Sequence, residues 1–497
     1  MMQIADRVQR IAASQSLAMA ARAKAMKAAG IDVISMSLGE PDMDTPEHIR
    51  RAAQEAIDNG WTHYGPVAGI PSLREAIATA QNAQIAEYKN IQNTACADIN
   101  IEKKNTHSTS AMPDGPRGLE RNHPQALTSK LAAPVDANTP NLLPDEQHVE
   151  SLQKYVVPPY ENAENIECGI SFNASDVIVS VGAKMAIYNA IQTVINPGDE
   201  VVIPMPSWVS YTEMVKVAGG KVVAVKTKYE NRYCLTPEEL RAVLTDKTRM
   251  LILCSPNNPT GSVYSYEELK AIVEVLRDYP NVTILSDEIY NALVYESTPN
   301  PLISNPLTLS AFGEIADRLI IVNGVSKAYA MTGWRIGWLM SKNKAFIEAC
   351  TRLQGQQVTC ATMVAQKAAE AALTGSQECV AQMRQVFAER RELICRLAAE
   401  IPGFRFEKPQ GAFYLFPDVS TLMGKPTSNP SLKGRVLKNA DDLADYILNE
   451  AHVAVVSGSA FGCPECIRLS YAISTEEITE AMRRIKVAIT RIVNKQK

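Results

Sequence analysis

Between Asp176 and Ala292 the chain alternates short apolar runs with stretches whose apolar residues recur at helical spacing. The runs are Val177 to Val181, Glu200 to Ile203, Lys221 to Val225, Met250 to Cys254 and Val282 to Ser286, with Leu319 to Asn323 beyond them. Rich in β-branched residues and bounded by turn residues such as Asn196-Pro197-Gly198-Asp199, they read as buried strands. Met185 to Ile195 and Tyr266 to Arg277 carry the helical pattern between them. Strand and helix in alternation predict an α/β fold with a mainly parallel sheet flanked by helices. After Trp334 the pattern is mostly helical, then mixed, and ends in the amphipathic run Thr475 to Val493, which predicts a smaller α+β unit.

Two regions depart from this order. At the N-terminus Ile4, Val8, Ile11, Met19 and Met26 recur near helical period and predict an amphipathic helix of the domain. The same stretch holds Arg7, Arg10, Arg22, Lys24, Lys27, Ser14 and Ser16, the composition of a mitochondrial or plastid transit peptide, which is the alternative. Residues 81–168 are rich in Asn, Thr, Pro and Gln with weak periodicity, and read as an insertion, partly disordered.

Composition narrows the function classes. A length of 497 residues is too great for one ordinary domain. With 46% hydrophobic and 21% charged residues, a sizeable core is feasible. A net charge of −4 without a long basic run argues against nucleic-acid binding. Since no apolar stretch of about 18 residues occurs, no membrane span is expected. Ten scattered cysteines suit a reducing compartment, so a cytoplasmic location is expected. Cys463 and Cys466 form an isolated C-x-x-C without further ligands at metal spacing, and no metal site is expected.

The chemistry-bearing residues follow the strands. In Ser326-Lys327-Ala328-Tyr329-Ala330-Met331-Thr332-Gly333-Trp334-Arg335-Ile336-Gly337 a lysine stands just past an apolar strand. Burying an ammonium is costly unless its charge is removed, and a Schiff base with an aldehyde cofactor removes it. Arg335 offers a planar, multi-donor head for a phosphate. Asp287 ends the strand before Glu288-Ile289-Tyr290, where open α/β sheets bind ligands. Pyridoxal phosphate (PLP) needs a carboxylate at its pyridine nitrogen to act as an electron sink, and Tyr290 lies close behind to reach the ring's phenolic oxygen.

Asn258, in Ser255-Pro256-Asn257-Asn258-Pro259-Thr260-Gly261, is an amide donor for the same oxygen. Val181-Gly182-Ala183-Lys184 joins strand to helix and presents free N–H groups to an anion. Trp208 can stack on a flat ring, and Arg468, in Arg468-Leu469-Ser470-Tyr471, offers a fork for a carboxylate. Each piece alone has an ordinary structural reading: a loop lysine, a helix N-cap, a turn, a core tryptophan, a surface arginine. Their order and their places at strand ends favour a site.

The chain resembles the class I aminotransferases of PLP fold type I, and among them the bacterial-type aspartate aminotransferase subgroup. The resemblance runs from about Ala5 to Arg74 and from Ala174 to Ile492. It is most specific at Ser37-Leu38-Gly39-Glu40-Pro41-Asp42, Tyr64 to Arg74, Ser255 to Gly261, Ser286 to Tyr290 and Lys327 to Gly337. It implies a large PLP-binding domain at 49–330, interrupted at about 81–168, and a small domain at 331–497 joined by residues 1–48. Lys327 then holds the cofactor and shuttles the proton between Cα and C4′. Asp287 pairs with the pyridine nitrogen, Asn258 and Tyr290 bind O3′, and Trp208 stacks on the ring. Ala183, Lys184 and Arg335 hold the phosphate. Tyr64 reaches the phosphate of a neighbouring subunit, which implies a homodimer with shared sites.

On the substrate side the resemblance implies Arg468 on the α-carboxylate, helped by Gly39 and Asn258, with Trp208 close by. Lys184, assisted by Ser16, then takes the distal carboxylate of an acidic amino acid. Aspartate with 2-oxoglutarate in a ping-pong exchange is the expected pair; alanine, aromatic amino acids and prephenate are alternatives. Some relatives that also accept prephenate carry a basic residue where Ala12 aligns. A carbon–sulfur lyase or a non-enzymatic ligand sensor on the same scaffold are the readings from other classes. One departure concerns Gly324, where many relatives have a phosphate-binding serine three residues before the lysine.

Overall fold

The computed structural model describes residues 2–12, 15–86, 169–295, 308–425 and 436–494. The segment expected to be an insertion therefore lies almost wholly outside the described residues, apart from the helix 71–86 that leads into it.

Strand β1 (Ile34–Ser35) precedes a seven-stranded sheet of β2 (Val177–Ser180), β3 (Glu200–Met205), β4 (Lys221–Lys226), β5 (Thr248–Cys254), β6 (Thr283–Asp287), β7 (Leu319–Gly324) and β8 (Gly337–Met340). The order across the sheet is β2-β8-β7-β6-β5-β3-β4. All neighbours are parallel except β8, which runs antiparallel to both β7 and β2. The expected α/β architecture is thus present. The sequence did not mark β8, a four-residue strand with both faces buried, because such a strand leaves no alternation to read.

The continuous apolar character of the central strands follows from helices on both faces. In β5, Leu251 and Leu253 point into one core, and Met250, Ile252 and Cys254 into the other. Val202 in β3 divides from Val201 and Ile203 in the same way. The first core also takes in Trp338 and Met340 of β8 and Ala365, Ala368, Ala369 and Ala372 of the helix Met363–Thr374.

A further core is built from both ends of the chain. Met19, Ala23, Val33, Ile34 and Met36 pack with the helices Ala440–Ala451 and Thr475–Val493. Beside them lie the short strands β9 (Tyr414–Leu415), β10 (Val453–Ala454), β11 (Val456–Ser457) and β12 (Ile467–Ser470). β1 pairs in parallel with β10, and β12 lies between β11 and β9. The Thr475–Val493 helix opens on a capping box, Ser474 with Glu477, and buries Ile478, Ala481, Met482, Ile485, Ala488, Ile489 and Ile492 along one stripe.

The N-terminal pattern needs correction. It forms a four-residue helix, Asp6–Gln9, with no buried residue, and a separate helix, Gln15–Ala28, that buries Met19 and Ala23. Ile4, Val8 and Ile11 remain exposed, because the core beneath the second helix does not extend to them. Among the described residues no helix is long and apolar enough to cross a membrane.

Candidate active site

A cleft of about 300 Å³ opens at the carboxyl ends of the parallel strands. Lys327, Asp287, Tyr290, Asn258, Trp208, Ala183, Lys184, Arg335, Gly39, Arg468 and Ser16 all line it. Tyr64 does not; it is 90% exposed and outside the cleft.

Lys327 stands three residues beyond β7. Its Nζ donates to the Gly39 carbonyl at 2.6 Å and lies 5.9 Å from the centre of the Tyr290 ring. Burial, aided by the nearby Arg335 and Arg468 guanidinium groups, brings its pKa down to about 8, against the pull of Glu40 and Asp287. The free amine therefore dominates above pH 8, where an ordinary lysine is still an ammonium. Uptake of PLP by the apoenzyme, followed by visible absorbance across a pH series, should rise with a midpoint near 8. A midpoint near about 10 would show that the lysine is not desolvated.

Asp287, the last residue of β6, is buried. Its Oδ2 accepts from Tyr211 Oη at 2.6 Å and its Oδ1 from the Ile289 N–H at 3.2 Å. Desolvation raises its pKa to about 6, although both hydrogen bonds and Lys327 favour the carboxylate. A buried carboxylate in this condition gains from a cationic partner, which a protonated pyridine nitrogen supplies. The site so far fits the cofactor.

The anion end fits as well. The helix Gly182–Val194 has no side-chain cap, so the first-turn N–H groups of Ala183 and Lys184 stay available. Gly182 has φ +79°, and a Cβ there would run into the Arg335 guanidinium. The bare glycine is what lets that guanidinium lie against the helix N-terminus. Arg335 itself adopts φ 56°, a left-handed backbone that its surroundings must enforce, and donates from Nη1 to the Thr332 carbonyl at 2.7 Å.

Gly324, where many relatives carry serine, ends β7 opposite Gly337. A Cβ on Gly324 would lie 2.9 Å from the Gly337 Cα and 3.0 Å from the Ile336 carbonyl oxygen. The two glycines are thus a matched close approach between strands. Gly324→Ser should destabilise the protein by roughly 1–3 kcal/mol in denaturant unfolding, and unchanged stability would refute the close-packing account.

Arg468, on β12, is 3% exposed. It donates from Nη1 to Asn258 Oδ1 at 2.9 Å and from Nη2 to the Ser37 carbonyl at 2.7 Å. Its guanidinium lies 4.5 Å from the centre of the Tyr414 ring and 4.9 Å from that of Phe461. Its Nε is buried with no partner among the described residues, an unsatisfied donor that an incoming carboxylate can satisfy. By accepting from Arg468 through Oδ1, Asn258 keeps its amide nitrogen for donation elsewhere. Tyr290 Oη is hydrogen-bonded to Tyr414 Oη at 2.8 Å. Lys184 Nζ sits 4.8 Å from the centre of the Trp208 ring at the mouth of the cleft. Partial desolvation and then Arg335 lower its pKa.

Three neighbours escaped sequence reasoning. Tyr211, which fixes Asp287, follows Trp208 by one helical turn, a faint local signal. Tyr414 and Phe461, which flank Arg468, had none, because they come from β9 and from the turn before Cys463.

A sheet that gathers a desolvated lysine, a buried carboxylate and an uncapped helix N-terminus in one cleft defines a PLP-dependent enzyme with a lysine at its centre. The chain belongs to the family of class I and II aminotransferases, whose pattern matches residues 31–105 and 126–485. It is 36% identical over 482 residues to an aspartate aminotransferase of Bacillus sp. (strain YM-2), covering 97% of this chain and 98% of that protein. A probable aspartate/prephenate aminotransferase of Rhizobium leguminosarum bv. phaseoli is 35% identical over 485 residues, again 97% and 98%. In structure the chain is similar to the aspartate aminotransferase of Rhizobium meliloti, with a TM-score of 0.76 at 32% identity, over 99% of this chain and 100% of that one. Its substrates are accordingly amino acids and 2-oxo acids, and its cofactor is PLP.

Proposed function

We propose that the enzyme exchanges the amino group between aspartate and 2-oxoglutarate, giving oxaloacetate and glutamate in two half-reactions. The observation that carries this reading is a pair of cations at two places in one cleft. Arg468 is buried with a donor to spare, and Lys184 stands at the mouth over Trp208. A dicarboxylic amino acid uses both; alanine would leave Lys184 without a partner. The curated relatives described above carry aspartate in their names.

Bound PLP supplies the electron sink that makes the substrate Cα–H acidic. Lys327 acts as the base at Cα and returns the proton at C4′, a role suited to an amine poised near 8. Asp287, held by the Tyr211 hydroxyl, would stabilise a protonated ring nitrogen. Asn258 and Tyr290 would hold O3′, Trp208 the ring face, and Ala183, Lys184 and Arg335 the phosphate. Arg468 would hold the α-carboxylate beside Gly39 and Asn258, and Lys184, with Ser16 in the same cleft, the distal one.

Ala12, where some relatives that also accept prephenate resemble one another in carrying a basic residue, offers no cation; its N–H donates to Glu213 at 2.8 Å. The exposed Tyr64 suits a homodimer in which it completes the partner's phosphate site, and the reading places the enzyme in the cytoplasm.

Lys184→Ala tests substrate choice. It should cost kcat/KM for aspartate roughly tenfold or more while leaving alanine within about threefold, the difference expected for one charge-assisted contact. An equal loss for both substrates would assign Lys184 to the phosphate alone.

A further inference from the structure

Amino transfer has no use for the Cys463-x-x-Cys466 pair, which forms the turn leading into β12. The Cys466 N–H donates to the Cys463 carbonyl at 3.1 Å, closing a four-residue turn, and the two Sγ atoms lie 3.1 Å apart. Both side chains are buried in a satellite cluster with Phe416, Val456 and Phe461. Beside them in the chain Gly462 and Pro464 are exposed and Glu465 is half-buried. Tyr233 Oη touches Cys466 Sγ at 3.4 Å. Among the described residues no group of three or more His, Cys, Asp or Glu side chains is placed to hold a metal ion, so a metal does not account for the pair.

We propose that Cys463 and Cys466 form a reversible disulfide, and that this bond loosens the hold of Arg468 on a substrate carboxylate. Turn ends lie within about 7 Å at Cα, inside the range a disulfide spans. The sulfurs need to close by only about 1 Å to reach the bonded distance of about 2.0 Å. A loop this short gains little from cross-linking the unfolded chain, so the bond stays easy to reduce. The smallest of the influences on the Cys463 thiol, the charge of the Lys226 ammonium 3.0 Å from Glu465, favours its thiolate. The contact with Cys466 Sγ, and after it burial, push the Cys463 thiol up, so oxidation waits on local opening of the turn.

The oxidant is a low-molecular-weight disulfide such as glutathione disulfide. One cysteine thiolate attacks it, forming a mixed disulfide and releasing one glutathione thiol. The second cysteine, on losing its proton, attacks the protein sulfur of that mixed bond and releases the other. The two protein thiols give up two electrons and two protons in all, and two glutathione thiols carry them away.

The turn is tied to the substrate arginine on both sides. Phe461, two residues before Cys463, packs its ring against the Arg468 guanidinium, and Arg468 follows Cys466 by two residues. Gly458 is hydrogen-bonded to both cysteines: its N–H donates to the Cys466 carbonyl at 2.7 Å, and its carbonyl accepts from the Cys463 N–H at 2.9 Å. Drawing the sulfurs together therefore shifts the Phe461 ring relative to β12. The effect on substrate rests on Arg468 being the carboxylate residue; the thiol chemistry does not.

The test incubates reduced holoenzyme in graded glutathione redox buffers, blocks free thiols with an alkylating agent, and maps the peptides by mass. The peptide holding both cysteines should lose two hydrogens and escape alkylation, with reversal by dithiothreitol. KM for aspartate should rise roughly three- to tenfold, the scale of a lost cation–π contact, with kcat within about twofold. Cys463→Ser should keep the KM of the reduced enzyme and lose the response. Alkylation of both cysteines at every buffer ratio, a disulfide without a change in KM, or a response that survives in Cys463→Ser would each overturn the proposal. Arg468→Lys, measured in parallel on reduced enzyme, separates the two readings. An unchanged KM there overturns the carboxylate role of Arg468, whereas a missing hydrogen loss overturns the disulfide.

Discussion

Lys327→Ala should abolish transamination, by on the order of 10⁴-fold or more, while leaving a folded protein. The side chain makes one hydrogen bond, to the Gly39 carbonyl, and its burial costs more than that bond returns, as the lowered pKa records. Removing it takes away the amine that binds the cofactor and the base that moves the Cα proton, but no core contact of comparable weight. Thermal unfolding of the cofactor-free variant should therefore match or exceed that of the cofactor-free parent. Single-turnover conversion of aspartate is the decisive measurement, and near-normal transfer would sink the mechanism.

Asp287→Asn should lower kcat by roughly 10²–10³-fold, since the amide keeps the shape but cannot neutralise a protonated ring nitrogen. The hydrogen bond from Tyr211 survives the exchange, so the loss reports the charge itself. The apoenzyme should show the opposite trend. The folded-state pKa of Asp287 lies near 6, above the ordinary aspartate value of 3.8, so the native state holds the proton over that interval and the unfolded state does not. Stability of the apoenzyme then falls as pH rises from about 4 to about 6, by roughly 3 kcal/mol from this residue. Asp287→Asn should shallow that slope, as read by denaturant midpoints between pH 4 and pH 7, and leave the part due to its buried neighbour Glu288, whose carboxyl desolvation pushes up to about 7. An undiminished slope in the variant would mean that Asp287 does not carry its share.

Much of the site was legible because PLP chemistry restricts residue type and because strand ends can be located by periodicity. Lys327, Asp287, Asn258, Trp208, Ala183 and Lys184 each follow an apolar run within a few residues, so the runs that predict the sheet also deliver these side chains to one edge. Tyr211, Tyr414 and Phe461 were not legible. They work by fixing another side chain, and nothing in an isolated tyrosine or phenylalanine distinguishes that duty from core packing. The N-terminal stretch misled for a related reason. Helical spacing of Ile4, Val8 and Ile11 records a preference for a face, but burial needs an opposing surface, and among the described residues the core that takes in Met19 and Ala23 does not reach these three.

By itself the sequence determined the alternation of strands and helices, the parallel character of the sheet and the residues able to carry the chemistry. These depend on local periodicity and residue type. The tertiary structure decided the rest: the antiparallel β8, the Gly324–Gly337 close approach and the core shared by the two ends of the chain. It also paired Tyr290 with Tyr414 and Asn258 with Arg468 across separations of 124 and 210 residues. Such contacts are set by which surfaces meet when the chain closes on itself. That choice minimises exposed apolar area and unpaired polar groups over the whole molecule, and no local window of the sequence contains both partners.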